Sequence, residues 1–264
     1  NIAGAYIFNK GKTIATMGCT VNTIQDKWPD EFIGLMAEGM RIGQFIRFTC
    51  FLENHLIGDP TFHFVPNGSL NMNVNEAIVL KEGDVEFWKG QLNSPSADMQ
   101  AMALRQLSMA NYKGMVELLE KSYFDSDKFV VRLEAVRLLA LNYPTSAATI
   151  NVLKTSLNDT YELIRRFSTE YAERNSSPAL LTPWAESFLV RGHEKRHNFR
   201  VTSAVDAFDH DKAKAETERL ASEGIWYNRN RIDGFIGRFD RQKAWMKEDF
   251  DVINNPESTD KVIS

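Results

Sequence analysis

The feature that most constrains this chain is a repeat in its second half. "MQAMALRQL" (Met99 to Leu107), "VRLEAVRLL" (Val131 to Leu139) and "IRRFSTEYA" (Ile164 to Ala172) can be laid over one another at steps of 32 and 33 residues. A poorer copy, "FRVTSAVDA" (Phe199 to Ala207), follows after 35. The first three are each followed by a second amphipathic segment: "MVELLEKSY", "TINVLKTSL" and "TPWAESFLV". The second and third copies follow an acidic turn, Asp125-Ser126-Asp127 and Asn158-Asp159. Between Phe129 and Leu141 only Arg132, Glu134 and Arg137 are charged. A helix so apolar must be covered on more than one side. One helical hairpin cannot do that alone, whereas hairpins stacked in an array can.

The acidic turn, the Val131-Arg132 pair with Ala135 and Leu139, and their echo at Ile164-Arg165 with Ser168 and Ala172 resemble HEAT repeats, over about Pro95 to Gly224. The resemblance implies a scaffold that binds a protein or peptide partner on its helical face. The expected fold is α+β overall and mainly α: an α-solenoid of helical hairpins after a small N-terminal α/β piece. The expected divisions are 1–66 for that piece, 67–94 for a linker, 95–250 for the repeats and 251–264 for a flexible tail.

The first 90 residues have another grammar. "AGAYIFNKG" reads as a helix end stopped at Gly11, and "KTIATMGCTV" (Lys12 to Val21) as a buried strand. "DEFIGLMAEGMRIGQFIRFTCFLE" has helical spacing broken near Gly39 and Gly43, and a turn-strand follows in "NHLIGDPTFHFVPNGSL". "NEAIVLKEGDVEFWKG" (Asn75 to Gly90) alternates like a hairpin.

Three features come in order: the strand's small-residue step Gly18-Cys19-Thr20, a Gly39-to-Gly43 helix start, and the closing Gly58-Asp59-Pro60-Thr61. Over about residues 1 to 65 they resemble the end of a gingipain-type cysteine peptidase domain, a caspase-like fold. The resemblance implies a Cys–His chemistry whose two residues would precede Asn1. It also implies a specificity pocket walled by the loop after the strand, here with Thr20, Asn22 and Trp28. By the same likeness the location is extracellular or in the cell envelope. Gly58, Asp59 and Pro60 read as structural, because an aspartate before proline leaves the α region and its carboxylate ties off nearby amides. Cys19 and Cys50 read as core thiols rather than nucleophiles. A Cys50–His55 pair is the weak alternative, so the chain itself is expected to be non-catalytic.

"HEKRH" (His193 to His197) spells a zinc-peptidase motif. Lys195 and Arg196 inside it and Arg191 and Arg200 around it oppose a dication. A third ligand, Glu216 or Glu218, rests on sequence distance alone. A zinc metallohydrolase is therefore the third reading, after a peptidase or pseudo-peptidase tail and a stand-alone HEAT scaffold. No cofactor is expected. Between Glu186 and Lys247 there are 13 Lys/Arg against 10 Asp/Glu, and the whole chain carries −4, which argues against a nucleic-acid surface. No apolar run of about 18 residues is present to span a membrane. A start at Asn1, without a signal segment, reads as a fragment or processed product.

Overall fold

The computed structural model describes residues 2–19, 31–49, 54–66, 68, 70–191, 193–224, 226 and 229–255. Among these the chain is mainly α, with fourteen α-helices and one two-stranded sheet. It forms two compact units, Asn1–Leu139 and Ala140–Ser264. The N-terminal α/β piece and the first helical pairs thus share a unit.

In the first unit, α1 (Ile2–Phe8) ends before Asn9, whose Oδ1 accepts from the Lys10 amide at 2.8 Å. β1 (Ala15–Cys19) pairs antiparallel with β2 (Asn54–Gly58), Ala15 opposite Gly58 and Cys19 opposite Asn54. The strand expected over Lys12–Val21 is therefore shorter. Ala15 to Gly18 are half-buried rather than buried, because β1 has one strand neighbour, β2, among the described residues. The expected broken helix is α2 (Ile33–Ala37) followed by α3 (Ile42–Thr49). At the start of α3, the Ile42 and Gly43 amides donate to the Phe62 and Pro60 carbonyls, each at 3.0 Å. Two orphan donors of a helix end are thereby satisfied. A Cβ on Gly43 would lie 2.8 Å from the Pro60 oxygen, so glycine is what lets the turn approach.

The hairpin expected over Asn75–Gly90 is instead two helices, α4 (Val74–Leu80) and α5 (Val85–Gln91). Asn73 caps the first by accepting from the Asn75 and Glu76 amides, and Asp84 caps the second by accepting from the Phe87 amide at 3.0 Å. Val74, Ala77 and Ile78 are buried at helical spacing. Two capped starts outweigh a weak alternation. Trp88 is fully buried and donates Nε1–H to the Lys81 carbonyl at 2.6 Å.

The helical pairs follow as α6 (Ala97–Met109) with α7 (Met115–Asp125), then α8 (Phe129–Asn142) with α9 (Ala147–Ser156), then α10 (Glu162–Asn175) with α11 (Leu181–Val190). One register is buried in all three leading helices: Met99, Val131 and Ile164; Ala103, Ala135 and Ser168; Leu107, Leu139 and Ala172.

The corner before each leading helix repeats as well. Ser94 Oγ accepts from the Ser96 amide at 3.3 Å, Ser126 Oγ from Lys128 at 3.1 Å, and Asp159 Oδ1 from Tyr161 at 2.8 Å. From inside the helix, Gln100, Arg132 and Arg165 each donate a side-chain N–H to the carbonyl of that same corner residue, six positions back, at 2.6, 3.1 and 2.5 Å. One device recurs at steps of 32 and 33 residues.

The second unit ends in α12 (Lys195–Ser203), α13 (His210–Ser222) and α14 (Arg229–Ile253). The fourth, poorer copy, Phe199 to Ala207, breaks at Ser203 and resumes as a 3₁₀ turn, Val205–Ala207. The first half of α14 buries Ile232, Phe235 and Phe239, with Phe235 stacked on Phe188 at 4.0 Å and tilted against Trp184 at 5.7 Å. Met246, Phe250 and Ile253 prolong the same stripe but are exposed. Helix continues to Ile253, so the tail expected from 251 begins as structure.

Candidate functional site

Thr20, Asn22 and Trp28, the expected pocket wall, lie outside the described residues, as does Cys50. Cys19 ends β1, and His55 stands opposite Gly18 in β2. The Gly58-Asp59-Pro60 motif closes on itself. Asp59 Oδ1 accepts from the Thr61 amide at 2.8 Å and the Thr61 hydroxyl at 2.7 Å. These bonds, the hydroxyl's first, hold the Asp59 carboxyl below its ordinary range. Gly58 has φ +119, and a Cβ there would fall 2.3 Å from the Ile14 oxygen. Its role is to let the end of β2 lie against the start of β1.

The HEKRH segment does not assemble a metal site. His193 lies exposed before α12, Glu194 is its N-cap residue, and His197 is within the helix and fully buried. The two imidazoles thus lack the single helical face that metal binding needs. Glu194 is taken: Arg165 Nη2 and Nε donate to it at 2.7 and 3.2 Å, and Arg191 lies 3.7 Å away. Glu216 accepts from Thr182 at 2.6 Å and pairs with Arg219 at 2.8 Å. Among the described residues no group of three His, Cys, Asp or Glu is placed to hold a metal.

His197 and Glu194 pack inward, although the segment is densely charged. Burial lowers the His197 ring to about 4. The Ser187 carbonyl favours its protonation, yet no hydrogen bond of normal geometry reaches either ring nitrogen.

A buried charge cluster in the first unit escaped the sequence reading. Arg105 donates to Glu134 through Nε at 2.5 Å and Nη2 at 2.8 Å, and also to Glu31. Arg137 donates to Glu31 and lies 3.7 Å from Glu134. The Arg105 guanidinium sits 5.1 Å from the Phe32 ring centroid. Burial, with Glu134 beside it, pushes the Glu31 carboxyl up to about 7 against the pull of both arginines. Burial also opposes the Arg105 charge, but Glu134 and Glu31 outweigh it and hold the guanidinium above its ordinary value. Two glutamates face two arginines, and the cluster holds no nucleophile. Its role is to fasten Glu31 to α6 and α8. One signal was present: Glu134 and Arg137 stand at i and i+3 in a helix whose only other charge is Arg132.

A cleft of about 450 Å³ also lies in the first unit, between the α5–α6 corner and the α7–α8 corner. Leu92, Leu104, Leu118 and Val131 form apolar parts of its wall, and Lys121 and Asp125 are among its charged residues.

No family model, curated protein or solved structure matches the chain. Among the described residues no helix is long and apolar enough to cross a membrane.

Proposed function

We propose that this chain is the non-catalytic C-terminal part of a gingipain-like cysteine peptidase or pseudo-peptidase, and that its helical pairs form a HEAT-type module for a protein partner. The observation that carries the reading is the corner device shared by Gln100, Arg132 and Arg165, which builds successive helical pairs to one plan. Repeated pairs of that kind present extended side-chain surfaces suited to binding. The Gly58-Asp59-Pro60-Thr61 turn supports the peptidase ancestry, because Asp59 spends Oδ1 on the Thr61 amide and hydroxyl and so seats the turn, as the resemblance implies. An envelope or extracellular location goes with this ancestry.

The buried cluster favours a second reading, a stand-alone HEAT scaffold. There the N-terminal piece is kept because Glu31 is fastened to the first repeats. The coding sequence upstream of Asn1 separates the two. The peptidase reading expects a His-Gly and a cysteine after a buried strand, with activity in the whole protein that alkylation of that cysteine abolishes. Absence of either residue leaves the scaffold reading.

A further inference from the structure

The cleft in the first unit is walled by two of the repeated corners, so its shape follows from the plan of the repeat. At about 450 Å³ it falls within the roughly 300–1,000 Å³ of ligand pockets. Some of its polar groups carry no bond among the described residues. Lys121 and Asp125 stand one turn apart on α7, a spacing at which opposite charges can pair, yet they are not bonded to each other. Neither has another partner among the described residues, and nor has the Asn93 side chain. Gln100 spends its amide N–H on the Ser94 carbonyl, which leaves its amide oxygen to face other donors. Beneath these groups lie apolar side chains, of which Leu92 and Leu118 are partly exposed.

The pattern selects among ligand classes. A phosphate or nucleic acid would meet Asp125 and Asp127 beside two lysines, of which Lys89 is already paired with Glu86. A metal would find too few ligands, and a purely apolar ligand would strip water from both charges without replacing it. A polypeptide answers every group: amides for Asn93 and Gln100, an aliphatic side chain for the leucines, and one acidic and one basic side chain for Lys121 and Asp125. We infer that this cleft binds a short peptide segment carrying an aliphatic residue together with one acidic and one basic residue. The inference rests on the reading of the repeats as an interaction module and places one recognition site within it.

The test pans a random heptapeptide display library against the full chain and, in parallel, against a charge-exchange variant, Lys121→Asp with Asp125→Lys. Both positions are exposed and the exchange keeps net charge, so the variant is expected to fold, as circular dichroism and unchanged Trp88 burial by fluorescence would verify. The expected result is enrichment of peptides with an aliphatic, an acidic and a basic residue. Synthetic copies of them should bind the variant at least tenfold more weakly in fluorescence anisotropy. Enriched peptides that bind both forms alike would overturn the cleft and leave the interaction module standing. No enrichment on either form would overturn both.

Discussion

Glu31 and His197 are buried groups displaced in opposite senses, one in each compact unit. Glu31 rises from 4.5 to about 7, so the folded first unit holds a proton that the unfolded chain releases between those values. Its stabilising contribution is complete below about 4.5 and is lost as the pH rises through about 7. Glu31→Gln is expected to flatten that dependence, measured as hydrogen exchange of α6 corrected for intrinsic rate; parallel wild-type and variant profiles would refute it. His197 falls from 6.5 to about 4, so the folded second unit excludes a proton that the unfolded chain takes up. Its contribution is complete above 6.5 and is lost as the pH falls towards 4, a change on the order of 3 kcal/mol. His197→Leu should remove the acid loss of protection in α12, and a variant as acid-labile as the parent would contradict it. Neither displacement was legible in the sequence. HEKRH spelled a metal motif, but the partner that decides Glu194 is Arg165, 29 residues away, and Glu31 and Arg137 are separated by 106. Spacing along the chain does not say which distant charges will share a buried site.

Elements were read well where periodicity was strong and poorly where caps decided. The helical pairs from Ala97 onward followed from apolar spacing and the repeat, and the broken helix around Gly39 and Gly43 from its glycines. The residues from Asn75 to Gly90 misled because their alternation drew the reading away from Asn73 and Asp84, the caps that set two helices. The corners carry unequal loads, and that is testable. Arg165 serves the Asp159 carbonyl and Glu194 together, so Arg165→Met leaves a largely buried carboxylate to the more distant Arg191 and should cost roughly 3 kcal/mol. Gln100→Leu removes one neutral hydrogen bond and should cost about 1 kcal/mol. Urea unfolding followed separately through each unit's exchange measures both, and equal losses would show that the Glu194 pair adds nothing to the corner.

At the scale of the molecule, the mainly helical character was visible because a step of 32 or 33 residues recurred with the same positions apolar. What the period could not reveal was where the compact units divide, since α8 runs through the boundary between Leu139 and Ala140 without any change in its sequence pattern. The corner device makes length itself discrete. The carbonyl bond of each corner closes within its own stretch of chain, Ser94 to Gln100, Ser126 to Arg132 or Asp159 to Arg165, although Arg165 also reaches on to Glu194. Duplicating or excising a whole block of about 33 residues keeps every such closure intact, whereas ten residues placed inside a corner separate its donor from its acceptor. A lineage built on this plan changes size by whole blocks, much as a text is edited by the sentence rather than by the letter.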